Sequence, residues 1–248
     1  MLNRVNEILS RVDSDAPPIR RTEVYNEGWM LRLLLDWASS LAPPDHPLAF
    51  HPGATWYSEA LLPSAFLARS RGDPLAEGWT NADGCVGHFD INLSGRADLV
   101  LRPTASQLVV VEAKMMSGLS QGTKRAPTFD QAARNVACMA EVIARATCPL
   151  NMIERLAFYV IAPQQQISTG IFGDLVTRES VDAKVQQRVA AYAGERNSWY
   201  ERYFVPMLDA VEVGLLSWEG LLPRGESEFD IFYRRCLEYN DKGGGAAA

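Results

Sequence analysis

The sequence is poor in the residues that most often bind zinc or form disulfide bonds. Only three of its 248 residues are histidine and four are cysteine, and no two cysteines form a CxxC pair. This scarcity argues against a zinc site and against a disulfide framework. It predicts free thiols in a reducing compartment. We expect the thiols to be packed in the core, at Cys85, Cys138, Cys148 and Cys236.

A long apolar run is also missing. The longest apolar cluster near the amino end, WMLRLLLDWA, is interrupted by Arg32 and Asp36 and is too short to cross a bilayer. The opening stretch MLNRVNEILSRVDSD carries charges throughout, which is not typical of a secretory signal. These features predict a soluble, cytoplasmic protein without a membrane partner.

Positive charge is not in excess either. The formal net charge is -6, so the surface as a whole should not attract nucleic acid. Binding to DNA or RNA would need a local basic patch.

The length and the hydrophobic content of 47% are sufficient for one large domain. We predict a single domain over residues 1–242, with a core at about 55–163. The low-complexity ending GGGAAA, residues 243–248, should be a flexible tail outside the fold.

Hydrophobic periodicity predicts an α/β fold with helices packed on a mixed sheet. A helix is expected over 22–39 and a second, short one in TWYSEALLPSAFLARS. Three strands, CVGHFDINL, ADLVLRP and LVVVEAK, follow with short connections, as in an antiparallel meander. A helix in TFDQAARNVACMAEVIARA then leads to the strand RLAFYVIAP, which should lie parallel to LVVVEAK. The remaining segments predict C-terminal helices and one more strand, VGLLSWEGLL, before a closing helix in SEFDIFYRRCLEYN.

Charged residues at the end of LVVVEAK suggest a site. Strand alternation points Glu112 and Lys114 to the same face, and Asp98 begins the strand predicted to precede theirs. Two carboxylates that converge are unfavourable unless a cation lies between them, and oxygen ligands suit Mg²⁺ or Mn²⁺. A lysine beside such a metal can orient or activate an attacking water.

This pattern resembles the D…(D/E)xK signature of the PD-(D/E)XK nuclease superfamily, with Asp98 followed by Glu112-Ala113-Lys114. The predicted element order also resembles its restriction-endonuclease-like core of helix, three-strand meander, helix and strand. No proline precedes Asp98, unlike the superfamily's name. The resemblance implies metal-dependent hydrolysis of DNA, with the metal held by Asp98, Glu112 and the backbone carbonyl of Ala113. It also allows a homodimer.

Two further residues enter through the same resemblance. Many members carry a metal-binding glutamate on the first helix and a glutamine on the helix after the third strand. Glu59 and Gln131 are the candidates, and Glu27, and less so Glu23, compete with Glu59.

Each candidate has a structural alternative. Glu112 and Lys114 could form an ordinary ion pair at a strand end, and Asp98 could be a turn residue. Gln131 could complete a capping box with Thr128.

Basic residues near the predicted site provide the local patch that DNA binding would need. Arg96 precedes Asp98, and Lys124 and Arg125 lie in the polar loop SQGTKRAP; all three are candidate phosphate contacts. The tryptophans are expected in the core. Two rival functions remain open, namely an inactive binding or scaffold protein of the same fold and a hydrolase of small phosphorylated molecules.

Overall fold

A computed structural model of the protein describes residues 1–92, 98–123, 126–225 and 227–241. These residues form a seven-stranded mixed sheet with helices on both faces, which confirms the predicted α/β class. The strands are β1 (Thr55–Leu62), β2 (Thr80–Gly87), β3 (Phe89–Asn92), β4 (Asp98–Leu101), β5 (Gln107–Ala113), β6 (Arg155–Ala162) and β7 (Glu212–Ser217). Their order across the sheet is β3-β4-β1-β2-β5-β6-β7.

The helices lie before, between and after the strands. They are α1 (Leu2–Leu9), α2 (Glu27–Leu41), α3 (Gln131–Arg145), α4 (Gln164–Ser168), α5 (Arg178–Ala190), α6 (Asn197–Trp199), α7 (Val205–Ala210), α8 (Trp218–Leu221) and α9 (Ser227–Asn240). Short 3-10 helices cover Arg21–Glu23, Leu150–Met152 and Gly173–Val176, and a π-helical stretch, Tyr200–Phe204, joins α6 to α7. Among the described helices, none has the length and apolar character needed to span a membrane.

The sheet separates two hydrophobic clusters. Helices α3, α5 and α7 pack on one face, and α2, α8 and α9 pack on the other. Strand β5 contributes to both clusters because its side chains alternate: Leu108 and Val110 face α3, whereas Val109 and Val111 face α2. The four cysteines are buried and free, as predicted.

The predicted three-strand meander is wrong. The segment CVGHFDINL is not one strand, because the chain leaves β2 at Gly87, whose φ of 152° is in the region that favours glycine. The next residues form a β3–β4 hairpin that pairs with β1 at the far edge of the sheet. Strand β2 pairs directly with β5, and the hairpin is an insertion between them.

The short helix predicted at TWYSEALLPSAFLARS is also wrong, because its first half is strand β1. A threonine and two aromatic residues, Thr55, Trp56 and Tyr57, open this segment, and such residues favour strands. Strand β1 pairs antiparallel with β2 along its length. The helix that precedes the sheet is therefore α2.

The crossover from β5 through α3 to β6 is confirmed. The two strands are parallel and in register from Gln107 opposite Arg155 to Ala113 opposite Ile161. Strand β6 is buried along nearly all of its length, as its apolar sequence predicts. Strand β7 extends the sheet parallel to β6, and α9 closes the described chain.

Candidate active site

Glu112 and Lys114 meet at the carboxyl end of β5. Alternation turns Glu112 toward α3, where its side chain is fully buried. Lys114 Nζ donates a hydrogen bond to Glu112 Oε1 at 2.6 Å, and only 9% of the lysine surface is exposed. This pair is therefore not the solvated strand-end ion pair that the sequence left open.

Side chains of helix α3 donate hydrogen bonds to the Glu112 carboxylate. Gln131, the first residue of α3, donates from Nε2 to Glu112 Oε1 at 2.5 Å. Its Oε1 accepts from the backbone amide and the hydroxyl of Ser120, both at 3.1 Å. The capping-box alternative is wrong, because Asp130 caps the helix by accepting from Ala133 N.

Asn135 is a member of this network that the sequence interpretation missed. It lies one turn after Gln131, is fully buried, and donates from Nδ2 to Glu112 Oε2 at 3.1 Å. Its Oδ1 is buried and has no hydrogen-bond partner within the described residues. The spacing of four residues from Gln131 on a helix was the signal that could have found it.

Asp83 on β2 is the second carboxylate of the site, and it was not a candidate from the sequence. The β2–β5 ladder runs from Gly87 to Gly84, and Asp83 comes next, beside Glu112. Asp83 Oδ2 accepts from the backbone amide of Ala113 at 2.8 Å. The charge of Asp83 also acts on Glu112. Asp83 was missed because the sequence predicts a strand that begins at Cys85, whereas β2 begins at Thr80.

The surroundings of Glu112 change its pKa. Burial, and then the adjacent Asp83 carboxylate, raise the pKa of Glu112 from 4.5 to about 8, although the Lys114 ammonium opposes the change. Ionisation of Glu112 is therefore unfavourable in this position unless a cation compensates its charge.

Asp98 does not belong to this site, so the predicted convergence of Asp98, Glu112 and Lys114 is wrong. Strand β4 is separated from β5 by β1 and β2, which places the two strands about 14 Å apart. Alternation also points Asp98 away from Leu99 and Leu101, which pack in the cluster on the α3 side. The error arose because the meander placed β4 next to β5.

Glu59 lies near the site but not on a helix. It is in β1, where its φ of 59° is unusual for a residue other than glycine and coincides with a gap in the β1–β2 ladder opposite Asp83. Burial, followed by the Asp83 charge, raises the pKa of Glu59, and Arg32 at 3.7 Å opposes this. Helix α2 is the helix that precedes the sheet. Its first residue, Glu27, is therefore the candidate glutamate that lies on that helix.

A cavity of about 550 Å³ lies beside α2, and among Asp83, Glu112 and Lys114 only Asp83 lines it. Glu27, Glu59 and Asp83 line this cavity, which we call the α2 cavity, together with Glu23 and Arg32. Glu23, Glu27 and Glu59, the three glutamates that the sequence offered as metal ligands, thus line the same cavity as Asp83.

Three other predictions have separate outcomes. Arg96, Lys124 and Arg125, the candidate phosphate contacts, lie outside the described residues. The expectation that every tryptophan is in the core is wrong for Trp29 and Trp79, which are 43% and 38% exposed. The role of the Ala113 carbonyl as a metal ligand stays a prediction.

Within the described ranges, no three His, Cys, Asp or Glu side chains are gathered closely enough to form a ready metal site. Comparison with known proteins found no matching protein family, curated protein or solved structure.

Proposed function

We propose that the protein is a metal-dependent phosphodiesterase that hydrolyses DNA. The observation that carries the proposal is the meeting of Asp83 and Glu112 at the end of the β2–β5 ladder, with Lys114 bonded to Glu112 at 2.6 Å. Such an arrangement of two carboxylates and a lysine fits hydrolysis of a phosphate ester.

The donor set fits Mg²⁺ or Mn²⁺. Asp83 and Glu112 offer only oxygen atoms, which hard divalent cations prefer. The pKa of Glu112 is raised first by burial and then by the charge of Asp83, and a bound cation would offset both effects. Asp83, Glu112 and the Ala113 carbonyl would hold the metal, with Glu27 or Glu59 reaching it from the α2 cavity. When bound, the metal would stabilise negative charge on a phosphate oxygen and increase the acidity of a water.

The remaining residues have roles that follow from their contacts. Lys114 is the cation nearest the carboxylates and would orient the attacking water through its ammonium group. Gln131 and Asn135 fix the Glu112 carboxylate through one hydrogen bond to each oxygen. Trp218 Nε1 donates to the backbone carbonyl of Lys114 at 2.9 Å and so restrains the lysine at the strand end.

The similarity to the PD-(D/E)XK superfamily is closer with Asp83 than with Asp98. The series α2-β1-β2-β5-α3-β6 resembles a restriction-endonuclease-like core in its order, with the β3–β4 hairpin as an insertion. Asp83 then lies on the strand beside Glu112-Ala113-Lys114, Glu27 lies on the first helix, and Gln131 lies on the helix after the third core strand. Every motif position of the resemblance has a candidate in this arrangement.

An inactive scaffold of the same fold is the rival with an observation in its favour. Glu112 is fully buried, and both of its oxygens accept hydrogen bonds from neighbouring side chains. A network satisfied in this way could serve stability alone. The rival predicts no hydrolysis with any divalent cation.

The decisive test compares two aspartates. We expect the parent protein to cleave DNA with Mg²⁺ or Mn²⁺, Asp83→Asn and Lys114→Ala to lose at least about 100-fold in rate, and Asp98→Asn to cleave like the parent. Labelled single-stranded, duplex and circular DNA would be the substrates. Far-UV circular dichroism would verify that each variant folds. Cleavage that survives Asp83→Asn but is lost in Asp98→Asn would refute the assigned site, and an inert parent would favour the scaffold.

A further inference from the structure

We infer that the α2 cavity binds an unpaired nucleobase on Trp29, so that the substrate is single-stranded DNA or a frayed strand end. The inference rests on the proposed function and adds the form of the substrate to it. Its basis is the position of an exposed indole ring on the wall of the cavity that Asp83 also lines.

Trp29 keeps much of its surface exposed to solvent. The α2 residues Met30, Leu31, Leu34 and Leu35 are fully buried against the sheet, whereas Trp29 is 43% exposed and Leu33, one turn later, is also exposed. Because the indole ring is large and amphipathic, covering its exposed part with a flat partner would be favourable.

Arg32 positions the ring. Its guanidinium lies over the Trp29 indole at 5.2 Å, and its Nε donates to Ser58 Oγ on β1 at 2.9 Å. The cation thus supports the ring and connects it to the sheet. Within the described ranges, Arg32 is the only cationic side chain that lines the α2 cavity, so a phosphate there would compete with Glu59, its ion-pair partner at 3.7 Å, for the guanidinium.

The size and charge of the cavity fit one nucleotide and a cation. Its volume of about 550 Å³ lies in the usual range for small-ligand sites, about 300 to 1,000 Å³. Glu23, Glu27, Glu59 and Asp83 line it against the single Arg32, so a polyanion should enter only when a divalent cation offsets these carboxylates.

A base must be free of its own stack to lie on Trp29. Bases inside a duplex are already stacked and paired, and extruding one costs a few kcal/mol. Single strands have no such cost, and stacking of one base on an aromatic side chain tolerates any sequence. The preference should therefore be for strandedness and not for sequence.

The test measures binding and cleavage of two matched DNA forms. Fluorescein-labelled single-stranded and blunt duplex oligonucleotides would be titrated by anisotropy with Ca²⁺, and cleavage would be followed with Mg²⁺ or Mn²⁺. Trp29→Ala should weaken single-strand binding about 5- to 100-fold and change duplex binding little. Trp29→Phe should retain most of the affinity. Trp79→Ala, which removes a similarly exposed tryptophan outside the cavity, is the control and should match the parent.

The outcomes separate this inference from the proposed function. Unchanged single-strand binding in Trp29→Ala, or an equal loss for both DNA forms, overturns the stacking site even if the parent is a nuclease. Trp29-dependent binding in a parent that cleaves no DNA retains the stacking site and overturns the nuclease. A parent that neither binds nor cleaves DNA overturns both.

Discussion

Glu112→Gln should make the metal-free protein more stable at alkaline pH. Folded Glu112 has a pKa of about 8, whereas the ordinary value is 4.5. Between these values the folded state binds more protons than the unfolded state, so the free energy of unfolding falls as pH rises. Below about pH 4.5 both states keep the proton and nothing is lost, and above about pH 8 the loss is complete.

The magnitude follows from the two pKa values. A change from 4.5 to about 8 corresponds to about 5 kcal/mol in the free energy of unfolding. Glutamine keeps the shape of the side chain and cannot ionise. Its new amide needs an acceptor, and rotation of the Asn135 amide would offer the Oδ1 atom that has no partner within the described residues. The variant should therefore equal the parent near pH 5 and exceed it by several kcal/mol at pH 9.

Urea denaturation in EDTA, followed by circular dichroism from pH 5 to pH 9, would measure this difference. Glu141→Gln is a suitable control, because it removes a carboxylate from the ion pair with Arg145 at the surface of α3. Saturating Mg²⁺ should reverse the ranking by stabilising the parent and not the variant, since binding to the folded state stabilises it. Parallel pH profiles for parent and Glu112→Gln in EDTA would refute the electrostatic account of the site.

Two further predictions concern stability. Gly87→Ala should destabilise the protein by about 1 to 3 kcal/mol, because the added methyl group would lie 2.1 Å from a backbone oxygen of β5. Gly78→Ala is the control in a urea titration, because the methyl group added there meets nothing within 4 Å. A loss no larger than that of the control would show that the strand junction adapts. Arg188→Leu should lower the free energy of unfolding by about 3 to 5 kcal/mol, because it leaves Glu77 buried without its partner at 2.7 Å. Arg145→Leu, in a more exposed ion pair, should lower it by less than about 1 kcal/mol. Equal midpoints of thermal unfolding for these two variants would contradict that reasoning.

The parts of the site predictable from the sequence were those that depend on local geometry. Glu112 and Lys114 share a face because alternation along one strand is independent of the partners of that strand. The β5–α3–β6 crossover was predictable for a similar reason, since a helix between two strands almost always makes them parallel neighbours. Gln131 was a candidate only through the resemblance, and the structure places its amide in hydrogen-bond contact with Glu112.

The second carboxylate could not be found in this way. Its identity depends on which strand lies beside β5, and that pairing is set by contacts between residues far apart in the chain. Asp98 is nearer to Glu112 in sequence, but Asp83 is nearer in space because the β3–β4 hairpin pairs with β1. Gly87 within an apparent strand was the available warning, since an isolated glycine there often marks a break in pairing.

The inserted hairpin also affects the order in which the sheet can form. Strands β3 and β4 are close in sequence, so their pairing closes only a short loop, whereas the pairing of β2 with β5 must close a loop over residues 88–106. Pairings between distant segments form slowly, because loop entropy is lost before the contacts are gained. Since Asp83 and Glu112 come from β2 and β5, this carboxylate pair would be completed late in folding, after the hairpin at the opposite edge.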